Sequence, residues 1–530
     1  MPAPTALLPG PLHPFTGQDV PWLLKARAQS TPDKNFLVFA PFDQPAQHWS
    51  YGDFHAAVGR LAHSLALKEG QYVLLHMDNC IEFLLVWHAC ARAGAVVVTT
   101  NTRASAEELT YFAQHSGTSL AITQPRYESL VRGLPLSFSQ IIVTADDVGA
   151  APAVPRSPAA RPFELLIAPD IPSLDERPAV PMRQLSVQYT SGTTARPKGV
   201  VWTHANALWG ARTNAVGIGI DANDIGHACL PLYHTNAICY SHLATLWVGG
   251  TLVFQPRFSA RRYWSCQAEH RCTWGVQMPF ALKALLGAPM PKGLALRRWG
   301  LGAVNPGIVK QVFGLPCIGW FGMTETVGLP IVSNPELPGR EMSMGLVAPG
   351  YEIAVRRDDG ADVAFEESGE LWIRGVAGLS MFLEYLNAPQ ATADSFDDQG
   401  WFATGDRVTP YADGHIRYDE RLKDMLRIGM ENVGAAEIER AIMSAGGIIE
   451  VAVVGKPDPM LDEVAVAYVI PMGPTDGMVE RIHAACAKLL ADFKRPREVF
   501  IVADLPRVTL GKVDKKLLRA QLADAAKKGT

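Results

Sequence analysis

The sequence predicts an α/β protein with a large N-terminal region and a smaller α+β C-terminal region. Apolar runs of strand length alternate with amphipathic runs of helix length, and this alternation resumes in the last hundred residues after a strand-rich stretch. Such alternation is typical of a mostly parallel sheet that is covered by helices. A chain of 530 residues is too long for one core, and this length suggests about three or four core-sized units.

The first elements are predicted from hydrophobic periodicity. Helices are expected at Tyr51–Leu67 and Glu82–Ala93, and buried strands at Tyr72–His76 and Ala95–Thr99. The stretch from Thr144 to Pro181 is rich in Ala and Pro, which predicts a surface linker between two parts of the chain. No internal sequence repeat is visible.

The later elements follow from the same patterns and from glycine turns. In chain order they are a helix at His204–Val216, strands at Gly249–Phe254, Arg298–Ala303 and Cys317–Phe321, a strand–turn–strand unit at Gly350–Gly375, a helix at Ala435–Ser444, strands at Glu450–Val454 and Glu463–Ile470, and a helix at Met478–Ala491.

Composition excludes several classes of function. Hydrophobic residues make up 48% and charged residues 19%, which is typical of a folded soluble protein. The net charge of −4 gives no electrostatic footprint for nucleic acid or an anionic membrane. The most apolar segment, Ile81–Thr100, contains Glu82, His88 and Arg92, so no membrane span is expected. Eight scattered cysteines without a CxxC pair favour a reducing compartment, and the predicted location is the cytoplasm.

The segment Tyr189–Gly199 is the strongest functional signal in the chain. It reads Tyr-Thr-Ser-Gly-Thr-Thr-Ala-Arg-Pro-Lys-Gly, and its hydroxyls, glycines and Lys198 are what a polyphosphate needs from a loop. The lysine is followed by glycine instead of Ser or Thr, so this is not the P-loop of ordinary NTPases. The alternative is a polar surface turn, since clusters of Ser, Thr, Gly and Pro mark loops in general.

Four further segments follow in order. Phe321–Glu325 offers an aromatic ring for a nucleobase, a hydroxyl for a phosphate and a carboxylate for Mg²⁺. Trp401–Asp406 ends in an acid suited to ribose hydroxyls, and the charged runs Asp419–Asp424 and Thr509–Lys516 come later. Each segment alone is explained by a strand end, a turn, a solvated face or a basic tail. Together with the loop, they favour a nucleotide site.

The five segments resemble those of the adenylate-forming superfamily of acyl-CoA synthetases, peptide-synthetase adenylation domains and beetle luciferases. The resemblance extends over about residues 20–520. Within the superfamily the chain is most similar to aryl- and acyl-CoA ligases and to the carnitine-CoA ligase-like group, because of the runs Tyr385–Thr392 and Phe493–Pro496.

This resemblance implies both a fold and a reaction. The fold is an AMP-binding domain of layered αβαβα sheets with a small β-barrel-like subdomain at residues 1–420, a hinge at 421–424, and a mobile α+β C-terminal domain at 425–530. The reaction joins a carboxylic acid to CoA through an acyl-adenylate, with ATP and Mg²⁺ as the other requirements and AMP and diphosphate as products.

The resemblance also implies site residues. The implied nucleotide and metal ligands are Thr190, Ser191, Gly192, Thr193, Thr194 and Lys198 around the phosphates, Gly302, Ala303, Val304, Phe321 and Gly322 around adenine, Thr324 on the α-phosphate, Asp406 and Arg421 on the ribose, and Thr194 with Glu325 on Mg²⁺. The implied residues of the reaction are Lys512 as the catalytic lysine, His234 as the gate to the thiol tunnel, Lys423 as the hinge, and Gly429, Phe493 and Arg495 on CoA.

The pocket residues indicate the class of acid. Between Gly226 and Pro335 the only acidic residues are Glu269 and Glu325, and a buried ammonium without a carboxylate partner is costly. An amino acid is therefore disfavoured, although a quaternary ammonium such as that of carnitine could lie on Trp274 or Trp320. An apolar or aromatic acid is predicted from the family-implied pocket side chains Tyr233, Ile238, Tyr240, Val276 and Met278. For each of these residues the alternative interpretation is an ordinary core side chain, and for His234 it is a buried histidine with its hydrogen bonds satisfied.

Three alternatives to the acyl-CoA synthetase remain at this point. One is a stand-alone enzyme that loads an adenylated acid onto a carrier protein, and another is a ligase for carnitine or a related betaine. A non-catalytic nucleotide-binding protein is the third, and the presence of Lys512 and Glu325 disfavours it. The sequence leaves the acid, the pathway and a homodimer open.

Overall fold

The computed structural model describes most of the chain. The described residues are 13–147, 154–190, 197–277, 279–302, 309, 312–334, 336–337, 339–340, 342–421, 424–428, 431–458, 461–490, 492–507 and 513–528.

The strands of the described residues form three sheets. In chain order they are β1 Asn35–Phe39, β2 Gln47–Ser50, β3 Tyr72–His76, β4 Val96–Thr99, β5 Leu120–Thr123, β6 Gln140–Val143, β7 Arg161–Pro162, β8 Gln184–Thr190, β9 Lys198–Thr203, β10 Ile225–Ala228, β11 Thr251–Phe254, β12 Trp274–Gln277, β13 Arg298–Gly302, β14 Cys317–Phe321, β15 Ile331–Val332, β16 Ser343–Val347, β17 Glu352–Arg356, β18 Gly369–Arg374, β19 Glu384–Tyr385, β20 Phe402–Pro410, β21 Ile416–Arg421, β22 Met425–Ile428, β23 Glu431–Gly434, β24 Ile448–Asp458, β25 Asp462–Pro471 and β26 Glu498–Ile501.

Helices cover the faces of these sheets. They are α1 Val20–Ser30, α2 Tyr51–Leu65, α3 Ile81–Ala93, α4 Ala106–Ser116, α5 Pro125–Arg132, α6 His204–Ile218, a π-helix at Asn236–Leu243, α7 Ala244–Val248, α8 Ala260–Glu269, α9 Pro279–Leu285, α10 Pro389–Ala393, α11 Ala435–Met443, α12 Met478–Leu489 and α13 Lys515–Lys528, with 3₁₀ turns at Phe163–Leu166 and Asp492–Lys494.

Two of the sheets build the N-terminal part. Within the described residues, the large sheet has the strand order β17-β18-β20-β21-β16-β15-β14-β13-β12-β10-β11-β1-β2, and the second sheet has the order β19-β9-β8-β4-β3-β5-β6-β7. Their central strands are parallel. β3 to β5 are almost wholly buried and apolar, as parallel strands covered on both faces should be. The predicted α/β class is confirmed.

The two sheets repeat one winding pattern. In the second sheet β3 is followed in the chain by β4 on one side and by β5 and β6 on the other. In the large sheet β10 is followed by β11 on one side and by β12, β13 and β14 on the other. The sequence shows no matching repeat, because different side chains satisfy the same topology. In such sheets ligands bind beyond the carboxyl ends of the strands, which directs attention to the ends of β13 and β14.

The C-terminal part has a core of its own. The C-terminal sheet has the order β23-β22-β25-β24, with β26 also paired to β25. Two apolar clusters, built from residues between Leu426 and Leu522, fill the two faces of this sheet. An ion pair of 3.6 Å joins Arg440 on α11 to Asp419 on β21 and so links this part to the large sheet. The exact domain boundaries stay a prediction.

Two expectations differ from the structure. The antiparallel strands β16, β17, β18, β20 and β21 extend the large sheet in an open order, so the described residues contain no closed barrel where a barrel-like subdomain was expected. The predicted linker is wrong over its second half, because Phe163 and Leu166 are buried in the main core and β7 joins the second sheet. Arg92 donates to the carbonyl of Leu174 at 3.0 Å and ties this segment to α3.

Most predicted elements agree with the structure apart from their ends. α2 ends at Leu65 instead of Leu67, because Ala66 takes a left-handed conformation there. α6 begins where expected, at a capping box formed by Thr203 and Asn206. Strand β24 runs four residues further than predicted, to Asp458, since its whole length pairs with β25.

Candidate active site

A β-hairpin carries the hydroxyl-rich loop. Its two stems are the end of β8 and the start of β9, which pair antiparallel with Tyr189 opposite Gly199 and Thr190 opposite Lys198. The loop residues Ser191, Gly192, Thr193 and Thr194 lie outside the described residues. Both stems belong to the second sheet.

Thr324 and Glu325 lie in a turn whose backbone is held from three sides. The indole Nε1 of Trp202 donates to the carbonyl of Thr324 at 2.9 Å. The amide of Phe382 donates to the carbonyl of Glu325 at 2.8 Å. The hydroxyl of Tyr351 donates to the carbonyl of the following residue, Thr326, at 2.8 Å. Three successive carbonyls are thus fixed by three separate elements, and this fixes the directions of both side chains.

Lys198, Tyr385 and Glu325 form a chain of contacts. The Nζ of Lys198 lies 4.3 Å from the centroid of the Tyr385 ring, which is a cation–π distance. The hydroxyl of Tyr385 donates to Glu325 Oε1 at 3.0 Å. Burial and the neighbouring carboxylate raise the pKa of Tyr385, so this hydroxyl remains a donor. Glu325 is itself buried, with 6% of its surface exposed.

A second chain of hydroxyls leads from Thr324 to the same hairpin. Thr324 and Thr235 share a hydrogen bond of 3.1 Å between their Oγ1 atoms, and Thr235 also bonds Gln188 Oε1 at 3.1 Å. Gln188 lies on β8, three residues before Ser191. The structure thereby brings the Thr324–Glu325 turn and the loop stems into one cluster, together with the residues that connect them. This cluster, named here the phosphate-side cluster, consists of Gln188, Lys198, Trp202, Thr235, Thr324, Glu325 and Tyr385.

The expected adenine wall lies at the carboxyl ends of two neighbouring strands. β13 ends at Gly302 and pairs parallel with β14, so that Gly302 lies opposite Trp320, next to Phe321. A Cβ at Gly302 would meet no atom of the described residues within 4 Å, whereas one at Gly322 would overlap the hydroxyl of Tyr240. A glycine at the end of β13 and a ring at Phe321 fit a planar base. Ala303 and Val304 lie outside the described residues.

The expected ribose pair is formed by two paired strands. Asp406 on β20 lies directly opposite Arg421 on β21, and the structure describes the backbone of Arg421. Asp406 is 1% exposed and accepts a hydrogen bond of 3.1 Å from the hydroxyl of Tyr418. Opposite residues of an antiparallel pair lie close enough to act on one ligand group.

Four of the expected acyl-pocket side chains are buried around the π-helix, and His234 is partly buried there. Ile238 and Tyr240 lie on this helix, and Val276 lies on β12. Tyr233 and His234 precede it with ring centroids 4.6 Å apart, and burial raises the pKa of Tyr233 to about 12. π-Helical turns occur often at functional sites. Met278 lies outside the described residues.

The expected CoA and lysine positions are only partly described. Phe493 packs on the C-terminal core, and Arg495 bonds the Leu490 carbonyl and Asp492. Within the described residues these two are not joined to the phosphate-side cluster. The expected catalytic lysine, the hinge and one CoA position lie outside the described residues; they are Lys512, Lys423 and Gly429.

Several residues of the cluster escape sequence reasoning. Gln188, Trp202 and Thr235 were given no role, and Tyr385 was used as a mark of the family alone. A faint signal existed for Thr235, which directly follows His234, and for Gln188, which directly precedes the loop segment. Trp202 and Tyr385 contact the turn from 122 and 60 residues away, so no local pattern could indicate them.

Comparison with known families agrees with this geometry. Residues 24–386 match the model of the AMP-binding enzyme family, and residues 437–512 match that of the AMP-binding enzyme C-terminal domain. The first match alone covers more than half of the chain. The adenylate-forming resemblance is confirmed.

Individual relatives point the same way. A crotonobetaine/carnitine–CoA ligase of Salmonella paratyphi A is 30% identical over 519 residues, covering 95% of this chain and 99% of that protein. A fatty acyl CoA synthetase of Mycobacterium tuberculosis is 28% identical with a TM-score of 0.72, covering 96% of this chain and 99% of that one. An anthranilate CoA ligase in complex with anthranoyl-AMP shares the fold, with a TM-score of 0.86 at 23% identity and coverage of 97% and 99%. The chain belongs to the AMP-binding enzyme family.

Proposed function

We propose that this enzyme activates an apolar or aromatic carboxylic acid with ATP and transfers the acyl group to CoA. It is an AMP-forming acid–CoA ligase, and its acyl-adenylate is the intermediate between the two half-reactions. The observation that carries the proposal is the phosphate-side cluster, in which Lys198, Tyr385 and Glu325 are joined beside Thr324 at the stems of the loop.

In the first half-reaction a carboxylate attacks the α-phosphorus of ATP and diphosphate leaves. Two anions approach each other, so positive charge near the reacting atoms stabilises the transition state. Lys512 would supply that charge between the acyl carboxylate and the α-phosphate. Thr324 would donate to the α-phosphate, and Lys198 would hold the leaving phosphates together with the loop residues Thr190, Ser191, Gly192, Thr193 and Thr194.

Glu325 is suited to the magnesium ion that accompanies ATP. A buried carboxylate beside phosphate-binding hydroxyls is an all-oxygen donor set, which Mg²⁺ prefers. The Tyr385 hydroxyl fixes one carboxylate oxygen and supports a defined position for the other. The ion, held by Glu325 and Thr194, would neutralise charge on the phosphate oxygens.

The remaining nucleotide contacts follow the strand ends. Phe321 would stack on adenine against Gly302, Gly322 and the neighbouring Ala303 and Val304. Asp406 would accept from the ribose hydroxyls, supported by Arg421 across the strand pair. The residues proposed for adenine and those proposed for the ribose follow strands of the same large sheet. This supports one rigid platform for the nucleoside.

In the second half-reaction the CoA thiol attacks the acyl-adenylate and AMP leaves. This step needs a thiol tunnel in place of a lysine, so the C-terminal domain at 425–530 would turn about Lys423 in the hinge 421–424. His234 would gate the tunnel, and Gly429, Phe493 and Arg495 would contact CoA. The separate C-terminal cores support a unit that moves as a body.

The choice of acid rests on charge. Glu269 is exposed on α8, and Glu325 is engaged by Tyr385. These two are the only acidic residues between Gly226 and Pro335. An acid with a primary ammonium would therefore find no carboxylate in that stretch to pair with. The buried rings and aliphatic chains of Tyr233, Ile238 and Val276 support an apolar or aromatic body instead.

A second candidate is a ligase for a betaine-type acid, which the Salmonella relative favours. The test is a panel of benzoates, medium-chain fatty acids, carnitine and crotonobetaine, with acyl-CoA measured by mass spectrometry. The proposal expects benzoates or fatty acids to give the highest kcat/KM. A preference for the betaines would overturn the proposed acid class, and acid-dependent AMP formation without any acyl-CoA would favour carrier-protein loading.

The roles of the lysine and the hinge are tested by separating the half-reactions. Lys512→Ala should slow adenylation by about a hundredfold or more, as expected for the loss of an electrostatic transition-state contact. It should leave thioester formation from a supplied acyl-adenylate intact. Lys423→Pro should do the reverse in a folded protein, because proline restricts the backbone. Equal losses in both half-reactions would contradict the two-position scheme.

Location and assembly complete the proposal. All eight cysteines are free and seven of them are buried, which supports a reducing compartment such as the cytoplasm. Among the described residues, no helix has the length and apolarity needed to cross a membrane. A homodimer stays a prediction, and sedimentation velocity at micromolar concentration tests it.

A further inference from the structure

Helix α4 contacts both stems of the loop hairpin. The hydroxyl of Tyr111 donates to the carbonyl of Pro197 at 3.1 Å, on the stem that enters β9. On the other stem His115 Nδ1 and the Tyr189 hydroxyl share a hydrogen bond of 2.9 Å. The ring of Phe112 stacks on that of Tyr189 with centroids 4.4 Å apart. One face of one helix thus contacts both stems, at Pro197 and at Tyr189.

A second segment holds the hairpin from another side. β19 pairs with β9, and the amide of Leu386 donates to the carbonyl of Gly199 at 2.8 Å. The side-chain amide of Asn387 donates to the carbonyl of His115 at 2.7 Å. This segment is also the one that carries Tyr385 to Glu325. The α4 contacts and the phosphate-side cluster are therefore connected through five described hydrogen bonds and one ring contact around one hairpin.

We infer that Tyr111 and His115 are positioning residues for the polyphosphate. They fix the separation and direction of the two stems, and with them the places of Thr190 and Lys198, which the proposed function assigns to the phosphates. The inference rests on the proposed function, since it needs the loop to bind ATP. Neither residue touches substrate in this scheme; both act through Pro197 and Tyr189.

The chemistry of the contacts favours positioning over simple packing. Thr190 and Lys198 are the paired ends of the two stems, so the contacts at Pro197 and Tyr189 set where their groups can meet the phosphates. Holding these groups in place before binding removes part of the entropy cost of binding. Burial lowers the pKa of His115, so its ring is neutral near pH 7 and brings no charge to the site. Loss of these contacts should therefore weaken the binding of ATP and leave the reaction with CoA unaffected.

The test uses matched variants of α4 in the full-length enzyme. Tyr111→Phe removes the hydroxyl and keeps the ring, and His115→Leu removes the ring nitrogen. His115→Asn is the rescue variant, because its amide nitrogen takes a place near that of Nδ1. Gln114→Ala is the control, since Gln114 is the exposed neighbour on the same helix. Each variant is measured for KM of MgATP in diphosphate–ATP exchange, for thioester formation from supplied acyl-adenylate, and for melting temperature.

The expected result is selective for ATP. Tyr111→Phe and His115→Leu should each raise the KM of MgATP by a factor of about five, and the double variant by a factor of about twenty-five. His115→Asn should recover most of the loss, and the thioester rate should stay within about twofold of the wild type. An unchanged KM in Tyr111→Phe and His115→Leu overturns the inference. So does a parallel fall of both half-reactions with the melting temperature, which indicates a merely structural role.

The control arm separates this inference from the proposed function. If the wild type shows no acid-dependent exchange, the proposed function itself fails. If the wild type exchanges and the variants keep its KM for MgATP, only the positioning role fails.

Discussion

Removal of one hydroxyl at Tyr385 probes the phosphate-side cluster directly. Tyr385→Phe deletes the group that donates to Glu325 Oε1 at 3.0 Å. The substitution keeps the ring that lies 4.3 Å beneath the Nζ of Lys198. The change therefore separates the hydrogen bond to the carboxylate from the cation–π contact.

The size of the effect follows from burial. A hydrogen bond to a charged group contributes about 1.5–3 kcal/mol, and Glu325 is 6% exposed, so water cannot readily replace the donor. Each 1.4 kcal/mol corresponds to about a factor of ten in binding. We expect the KM of MgATP to rise about ten- to hundredfold, because the carboxylate that holds Mg²⁺ is less well fixed. Tyr385→Leu should be worse by a further factor of about two to thirty, since the cation–π contact contributes about 0.5–2 kcal/mol.

The assay is acid-dependent diphosphate–ATP exchange at several concentrations of free Mg²⁺. Tyr72→Phe is the matched control, because it also deletes a tyrosine hydroxyl bonded at 2.9 Å, to Gln184 at the far end of β8. It should leave the magnesium dependence unchanged. If Tyr385→Phe behaves like this control, or if Tyr385→Leu is no worse than Tyr385→Phe, the assignment of Glu325 and Lys198 to one phosphate site is refuted.

Three further predictions concern the pocket and the core. The buried hydroxyl of Tyr240 has no hydrogen-bond partner among the described residues, so Tyr240→Phe should raise the free energy of unfolding by about 1 kcal/mol in a denaturant titration; a loss of stability would contradict this. Gly322→Ala would overlap the same hydroxyl and should abolish exchange, and adding Tyr240→Phe should restore part of it. Burial lowers the pKa of His227 from 6.5 to about 4, so the unfolded chain takes up this proton at a higher pH than the folded chain does. The free energy of unfolding therefore falls as the pH drops from about 6.5 to about 4. In His227→Gln it should fall less steeply, by up to about 1.4 kcal/mol per pH unit, and an unchanged pH dependence of the free energy of unfolding would contradict the prediction.

The parts of the site that the sequence predicts are those written in local patterns. Gly302 and Phe321 were placed at strand ends because glycines terminate apolar runs, and the structure has both at the ends of neighbouring parallel strands. The loop was recognisable from its own eleven residues, Tyr189–Gly199, whereas the hairpin that carries it was not predicted. The pairing of Asp406 with Arg421 was expected from the resemblance alone, and the strand register brings the two together.

The parts that the sequence did not predict depend on distant contacts. Tyr111 and His115 reach the loop stems from 86 and 74 residues away, and neither contact leaves a spacing in the chain. The linker prediction failed for a similar reason. Its Ala and Pro content is real, yet Phe163 and Leu166 are buried because α2 offers them a surface. In the part of the chain that the structure describes, an open extension of the large sheet takes the place of the expected barrel-like subdomain, since strand order is not encoded in strand patterns.

The fate of a carboxylate oxygen tests the central claim most directly. An acid that the panel identifies as a substrate is labelled with ¹⁸O in both carboxylate oxygens and incubated with the enzyme, MgATP and CoA, and the products are weighed by mass spectrometry. An acyl-adenylate mechanism predicts one ¹⁸O atom in the phosphate of AMP, unlabelled diphosphate, and acyl-CoA with one ¹⁸O. Formation of ADP with the label in inorganic phosphate, or unlabelled AMP, would contradict the account.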